Sequence, residues 1–323
     1  MKHRTSTGVA ALALIAALAL TGCGGGEGSG STASPSAPAS DPAATGAPSP
    51  SAEDIAALEA VEVKGDAGTD PELVFDAPLT VSAPTSRVVE EGTGTALAEG
   101  DWVTMQYVAY KGDGSRLGST WETDSPENFA LGDLQFDLLN GPLEGKKVGT
   151  RMLLANPTQD AQGTPATTLN LLEITDVKEI PARAEGEAVT PAEGLPTVTL
   201  DDAGAPSIEI PEGYEAPADL VVQPLIKGDG PKLTKDQTVI AHYTGWKLDG
   251  TPFDSSWERK GPTDFQLGSV ISGWTEGLSG QPIGSQVLLV IPADQAYGAE
   301  ADPSNPLAGE TLVFVVDILD TVD

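Results

Sequence analysis

A long internal repeat places the strongest constraint on how this chain of 323 residues folds. The segment 90–132 aligns without a gap with the segment 226–268, at an offset of 136 residues. Anchor pairs along this alignment are Gly92 and Gly228, Val103 and Val239, Tyr107 and Tyr243, Trp121 and Trp257, and Phe129 and Phe265. Agreement at this density predicts two units of one fold in tandem.

The repeat continues with small changes of offset toward the end of each copy. An offset of 135 brings Val148-Gly149 onto Ile283-Gly284, and an offset of 143 brings Thr168-Leu169 onto Thr311-Leu312. The first copy is therefore predicted to lack about eight residues before its last strand.

Composition and turn-forming residues predict the boundaries of the two units. We predict a first unit over 61–178 and a second over 197–323. Each unit begins with a short segment rich in β-forming residues, which contains a turn with Asp, Ala and Gly. The segment 181–196 is rich in Ala, Glu and Pro with little to bury, which is typical of a linker. About 270 residues beyond the N-terminal segments suit two domains.

Secondary structure in the second unit follows from runs of Val, Ile, Leu and aromatic residues. Such runs predict strands over 238–246, 286–291 and 311–319, each bounded by Gly, Pro, Asp or Asn. Only Ser272–Leu278 has the pattern of a short helix, and low helical content is expected elsewhere.

The N-terminus has the pattern of a secretory signal peptide over residues 1–22. Lys2, His3 and Arg4 precede an uncharged run of about twelve residues, which is shorter than the ~20 residues that a spanning helix needs. A retained membrane helix is the weaker alternative. Leu-Thr-Gly before Cys23 resembles a bacterial lipobox, which implies cleavage before Cys23 and lipid attachment to its sulfur. The expected location is extracytoplasmic, anchored to the cell membrane through that lipid.

Residues 23–52 are almost entirely Gly, Ser, Thr, Ala and Pro, and this composition predicts a disordered tether. The chain carries 17 basic and 48 acidic residues, a formal net charge of −31, which argues against nucleic acid as a partner. Cys23 is the only cysteine, so an intrachain disulfide is excluded.

Four separated motifs in the second unit agree with one known family. They are HYTG at 242–245, FDSS at 253–256, VISGW at 270–274 and AYG at 296–298, followed by TLVFVVDIL at 311–319. In this order they resemble an FKBP-type peptidyl-prolyl cis-trans isomerase domain. The resemblance implies an α+β fold, in which each of two domains is an antiparallel half-barrel sheet wrapped on a short helix.

The resemblance also implies the activity and the site. Twisting an X-Pro bond requires no nucleophile, metal or cofactor, only a pocket that favours the twisted amide over the planar one. The implied catalytic residues are Tyr243, Asp254, Trp274 and Tyr297. The implied substrate-binding residues are Phe253, Phe265, Val270, Ile271, Leu307 and Phe314. Taken singly, Phe265 and Phe314 would be ordinary core residues, and Tyr243 with Asp254 would be a structural pair.

The first copy has lost much of this set. Phe253 is replaced by Leu117, Asp254 by Gly118 and Trp274 by Leu139, and the AYG segment falls in the deletion. We therefore expect a degenerate first domain without isomerase activity.

The favoured interpretation is an isomerase that assists the folding of exported polypeptides with X-Pro bonds, and the resemblance adds a macrolide as a candidate ligand. Two alternatives stay open on sequence grounds. One is a lipid-tethered chaperone or adaptor that grips proline-containing segments without turnover, and the other is an inert surface lipoprotein.

Overall fold

The computed structural model describes residues 49–160 and 162–322. The predicted signal peptide, Cys23 and most of the predicted tether lie outside the described residues. Within the described ranges, no helix combines the length and apolar character needed to cross a membrane.

The N-terminal part of the described chain builds one antiparallel sheet in the order β3-β7-β8-β4-β5, with β6 also paired to β4. Its elements in chain order are α1 (Ala52–Glu59), β1 (Glu62–Lys64), β2 (Glu72–Val74), β3 (Thr85–Glu90), β4 (Trp102–Lys111), β5 (Arg116–Ser119), α2 (Thr120–Thr123), β6 (Glu127–Ala130), a 3-10 helix (Leu134–Phe136), α3 (Asp137–Leu143), β7 (Arg151–Gln159) and β8 (Pro165–Lys178).

The C-terminal part builds a second antiparallel sheet in the order β14-β13-β17-β16-β12-β9, with β15 also paired to β13. Its elements are β9 (Glu187–Ala188), β10 (Thr197–Leu200), β11 (Pro206–Glu209), β12 (Val221–Lys227), β13 (Thr238–Lys247), β14 (Pro252–Ser255), β15 (Thr263–Gln266), α4 (Ser272–Leu278), β16 (Gln286–Ile291), a 3-10 helix (Ala293–Gln295) and β17 (Leu312–Val322).

The two sheets share one topology, because β5-β4-β8-β7-β3 repeats as β14-β13-β17-β16-β12. Both long central strands also carry a register irregularity at the matching point, between Thr104 and Met105 in β4 and between Ile240 and Ala241 in β13. All strand pairs are antiparallel and the helices are short, so the predicted α+β class is confirmed.

The predicted alignment of the last strands was wrong by one residue. Thr168 pairs with Lys111, and Leu312 pairs with Lys247 at the matching position of the second sheet. The structural offset is therefore 144 residues, not 143. The error came from matching Thr-Leu with Thr-Leu, which would have turned every side chain of β8 to the opposite face.

Helix α4 has the bounds predicted from sequence. Three further helices were not predicted, and α1 begins at Ala52, where the predicted tether ends. Ser51 and Asp54 cap α1 reciprocally, and its Leu58 is buried in the apolar cluster on the convex face of the first sheet. Tertiary packing and capping stabilise this helix, since eight residues are too few for a stable isolated helix.

The segment 181–196, predicted as a linker, contributes to the second sheet. Ala188 in β9 pairs with Ile226 in β12, and Ala184 is buried with its N–H donating to Asp317 Oδ2 at 2.8 Å. An exposed sheet edge offers unpaired backbone groups to any extended segment, which explains why a sequence with little to bury adds a strand here.

Each sheet has a covered convex face. The β1–β2 hairpin and α1 cover the first sheet, and the β10–β11 hairpin packs on Trp246 and Leu288 of the second. The opposite, concave face of the second sheet packs against α4 through Trp274 and Leu278. The site described next lies on this concave face.

Candidate active site

The concave face of the second sheet holds an apolar cavity of about 300 Å³. The lining residues are Tyr243, Phe253, Asp254, Phe265, Ser269, Val270, Ile271, Trp274, Tyr297 and Phe314. Nine of these ten were named from the sequence, and Ser269 was not. Leu307, the remaining residue named, packs against the same core cluster but is not among those that line the cavity.

Trp274 is the centre of the aromatic arrangement and is almost fully buried. Its ring lies edge to face with Phe265 at 5.0 Å, Phe314 at 5.4 Å and Tyr243 at 5.5 Å between centroids. Phe314 makes the same kind of contact with Phe253 at 5.5 Å. These are favourable geometries for aromatic pairs, so the rings form a continuous, pre-ordered wall.

The helix that carries Trp274 lies unusually close to the sheet. A Cβ at Gly273 would lie 2.4 Å from Ile291 Cγ2, a distance that carbon atoms do not adopt. Glycine at this position therefore lets α4 approach β16 and seats the indole ring at the base of the cavity.

A hydrogen-bonded cluster of Tyr243, Asp254 and Arg259 lies at one side of the apolar lining. The Tyr243 hydroxyl donates to Asp254 Oδ2, and Arg259 Nη1 donates to Asp254 Oδ1 at 2.5 Å. Arg259 Nη2 also donates to the Tyr243 hydroxyl oxygen at 3.0 Å. Burial, followed by the hydrogen bond to Asp254, raises the pKa of Tyr243 to about 12, so the phenol is neutral at physiological pH.

Arg259 was missed in the sequence analysis. The sequence pattern predicts a partner only for a buried acid, and Tyr243 alone can satisfy one oxygen of Asp254. The signal was present, because Arg259 stands five residues after Asp254 and can return to it across the tight turn 256–261.

The mouth of the cavity presents hydrogen-bond donors. Tyr297 is 46% exposed, and burial of its ring followed by the charge of Asp254 raises its pKa. The backbone N–H of Ile271, which precedes α4, meets no hydrogen-bond acceptor within the described part of the chain.

His242 and two further tryptophans lie outside the cavity. The His242 ring stacks on Trp257 with 4.0 Å between centroids, and its Nδ1 is 2.8 Å from Ser256 Oγ. Burial lowers the pKa of His242 to about 4, so the ring is neutral at pH 7. Trp246 is buried on the convex face.

The first sheet retains only part of this arrangement. Tyr107 and Phe129 are buried at the matching positions, but Leu117 and Leu139 replace Phe253 and Trp274. The corrected register adds Asn170 at the position of Phe314. In place of the 20 residues between β16 and β17, β7 and β8 continue as a hairpin whose last pair is Gln159 with Pro165.

Comparison with known proteins assigns the family. The family profile of the FKBP-type peptidyl-prolyl cis-trans isomerase matches residues 230–319. An FK506-binding protein of Streptomyces anulatus is 46% identical over 121 residues, which cover 35% of this chain and 98% of that protein. A probable FK506-binding protein of Corynebacterium glutamicum is 42% identical over 115 residues, covering 35% of this chain and 96% of that protein. The crystal structure of FkpA from Escherichia coli aligns with 35% identity over 40% of this chain and 52% of that one, with a TM-score of 0.31.

The near-complete coverage of two relatives defines the class: this chain belongs to the FK506-binding protein family. It is a peptidyl-prolyl cis-trans isomerase of the FKBP type.

Proposed function

We propose that the protein is a lipid-anchored isomerase that accelerates folding of exported polypeptides at their X-Pro bonds. In this proposal the unit 197–323 carries the activity and the unit 61–178 does not isomerise proline. The observation that carries the proposal is the aromatic cavity of the second sheet. Its Phe253, Asp254, Trp274 and Phe314 are replaced in the first unit by Leu117, Gly118, Leu139 and Asn170, and its Tyr297 has no counterpart there.

The mechanism requires a pocket that prefers a twisted amide. The X-Pro bond rotates over a barrier of ~18–20 kcal/mol because the planar amide is stabilised by resonance. The planar form is more charge-separated than the twisted form, so an apolar and water-poor cavity stabilises the transition state relative to the ground state. Each ~1.4 kcal/mol of this preference increases the rate tenfold.

The polar groups serve orientation. In this proposal the proline ring sits over Trp274, and the Tyr297 hydroxyl and the Ile271 N–H donate to the substrate carbonyls on either side of it. Asp254, fixed by Tyr243 and Arg259, presents an oriented carboxylate beside the bound carbonyl. Fixed dipoles of this kind need no reorganisation during rotation.

The proposed location rests on the N-terminal sequence. Cleavage before Cys23 and lipidation of its sulfur would tether the folded units outside the cytoplasmic membrane. Expression in a bacterial host with a labelled fatty acid tests this part. The expected result is label in the membrane fraction for the parent chain and loss of that label for Cys23→Ser. Equal labelling of both chains would refute lipid attachment at Cys23.

The activity of the second cavity is tested with a matched pair of substitutions in the full chain. Phe253→Ala removes a lining ring, whereas Leu117→Ala truncates the side chain at the same position of the first unit. In a protease-free assay with a short X-Pro peptide, Phe253→Ala is expected to lower kcat/KM by about tenfold or more. Leu117→Ala is expected to leave it within twofold. A comparable loss in both variants would contradict the assignment of activity to the second unit.

The same pair distinguishes an enzyme from a binding protein. Suppression of aggregation of an unfolded client is measured beside isomerisation. If Phe253→Ala loses both, the cavity serves turnover of bound clients. If it loses isomerisation alone, binding by another surface is the main function.

A further inference from the structure

The two sheets meet next to the active site. Trp102, Ala130 and Ile180 from the first part of the chain pack with Ile240 and Leu319 of the second sheet in one buried cluster. Lys178 Nζ lies 2.7 Å from Asp320 Oδ2 at the edge of this cluster. The contact continues onto the turn 256–261, which carries Arg259.

Two residues of the first unit hold this turn directly. The Leu134 N–H donates to the Arg259 carbonyl oxygen at 2.8 Å. Asp133 lies against Gly261, where an added Cβ would lie 2.7 Å from Asp133 Cβ. Asp133 is 3% exposed, and its Oδ1 accepts from the Gln135 N–H at 2.7 Å. The start of this 3-10 helix, with the buried Asp133 at its N-cap, therefore contacts the turn at two points, Arg259 and Gly261.

The turn contains a residue in a strained backbone conformation, which contacts from the first unit help to hold. Lys260 adopts the left-handed conformation with φ +64°, which costs about 1 kcal/mol for a residue with a side chain. Two internal hydrogen bonds converge on Ser256 O, at 3.2 Å from the Arg259 N–H and 3.4 Å from the Gly261 N–H, and a third joins the Lys260 N–H to Trp257 O at 3.1 Å. Strained backbone of this kind persists only where surrounding structure fixes it.

The position of this turn sets the position of a catalytic pair. Arg259 extends from the turn to both Asp254 and Tyr243, so a shift of its backbone moves the guanidinium relative to both. We infer that Asp133 and Leu134 of the first unit are positioning residues for the isomerase site of the second unit, acting through Arg259. The degenerate unit thus contributes to catalysis without a complete pocket, and this inference rests on the proposed function of the second cavity.

Removing one N–H tests the inference with little other change. Leu134 is the first residue of a 3-10 helix, a position where proline is tolerated. The preceding Asp133 has φ −60° and ψ 128°, the extended conformation that a residue before proline prefers. Leu134→Pro therefore deletes the donor to Arg259, and Leu134→Ala, which shortens the same side chain and keeps the donor, is its conservative partner.

The measurements are made on the full chain with a short X-Pro peptide. Loss of one positioning hydrogen bond is expected to place kcat/KM of Leu134→Pro about 2- to 10-fold below that of Leu134→Ala, with the change in kcat and not in KM. The guanidinium N–H resonances of Arg259, followed by NMR, are expected to shift in Leu134→Pro and to keep their parental positions in Leu134→Ala. Equal kcat/KM and equal Arg259 resonances in the two variants would overturn the inference.

A second pair keeps the test decisive if Leu134→Pro does not fold. Gly261→Ala adds a methyl group that clashes with Asp133 Cβ. Asp133→Gly removes that Cβ, and glycine is acceptable at the position before a helix. Gly261→Ala alone is expected to lower kcat/KM, and the double variant Asp133→Gly/Gly261→Ala is expected to recover part of it. No recovery would refute coupling through this contact. An inactive parent chain would instead refute the proposed function itself.

Discussion

Gly245 lies in β13 between two aromatic walls of the cavity, and replacing it with alanine gives a sharp test of the site. A Cβ built there would lie 2.6 Å from Phe253 Cζ and 2.7 Å from Phe314 Cε1. Carbon atoms in contact are normally about 3.5–4.0 Å apart, so both rings must move by roughly 1 Å. The first unit has Ala109 at this position, where Leu117 and Asn170 replace the two rings.

The expected magnitude follows from the cost of overpacking. Forcing a methyl into a packed site costs about 1–3 kcal/mol. Both rings line the cavity, and binding of the peptide requires their parental positions. The cost of returning them there should lower kcat/KM of Gly245→Ala by about 5- to 150-fold. The assay is isomerisation of a short X-Pro peptide, with urea unfolding measured on the same samples.

The matched control is Ala109→Gly in the first unit. Glycine in a strand costs about 0.5–1 kcal/mol of stability, and we expect that change without an effect on kcat/KM. If Gly245→Ala retained kcat/KM within twofold of the parent and left the ring-current shifts of Phe253 unchanged, the tight packing deduced for this wall would be refuted.

Three further predictions concern other positions. Both amide atoms of Asn170 are buried without a hydrogen-bond partner in the described chain, so Asn170→Leu should raise the free energy of unfolding by about 1–2 kcal/mol; urea unfolding that shows a loss would contradict this. Arg259→Lys keeps the charge but cannot reach Asp254 and Tyr243 together, so kcat/KM should fall about 5- to 30-fold; an unchanged value would remove Arg259 from the site. Burial raises the pKa of Asp317 from 3.8 to about 6, so the folded state binds the proton more tightly than the unfolded state and stability contributed by this group is lost as pH rises from about 4 to 7. Asp317→Asn, whose amide can bond Gln286 after that side chain turns over, should therefore gain about 3 kcal/mol relative to the parent between pH 4 and pH 7, and a pH-independent difference would argue against a buried charge.

Local sequence patterns predicted the parts of the fold that local chemistry determines. The β-branched run of β16 and the short helix α4 have the predicted bounds, because apolar runs between Gly, Pro and polar residues leave little choice of element. The cavity was also predicted from the sequence, since four motifs on two strands, a helix start and a loop supply most of its lining. A site whose residues come from several short local motifs can be predicted in this way once the repeat is aligned.

Features that depend on long-range contact could not be read from the sequence. Helix α1 is fixed partly by Asp54, which accepts from the Ser82 N–H at 2.7 Å across 28 residues of chain. The β9 strand forms only because β12 presents an open edge. The contact of Leu134 with Arg259 is a hydrogen bond between backbone atoms of the two units, and a backbone hydrogen bond cannot be predicted from residue types. The one-residue error in the alignment of β8 had the same origin, because register is set by the partner strand.

The convex faces of the two sheets explain how one unit can lose its cavity and remain folded. On the first sheet, Arg151 pairs in register with Glu173 and its Nε lies 3.5 Å from Glu173 Oε2. On the second sheet, Gln286 pairs in register with Asp317 and donates to its Oδ1 at 2.7 Å. All four side chains are at least 90% buried, and the pairs occupy matching strands of the common topology.

Each acidic member of these pairs also fixes a chain segment laid over the sheet. The Gly68 N–H, in the turn of the β1–β2 hairpin, donates to Glu173 at 2.7 Å, and the Ala184 N–H donates to Asp317 at 2.8 Å. A buried carboxylate must keep such partners, so substitutions on this face are strongly constrained. The concave face of the first unit has no comparable requirement, because leucine can replace an aromatic ring there without leaving a charge unpaired. The buried polar pairs and the aromatic pocket therefore lie on opposite faces of the sheet, so the first unit keeps its polar pair and the surface that contacts Arg259 without the aromatic pocket.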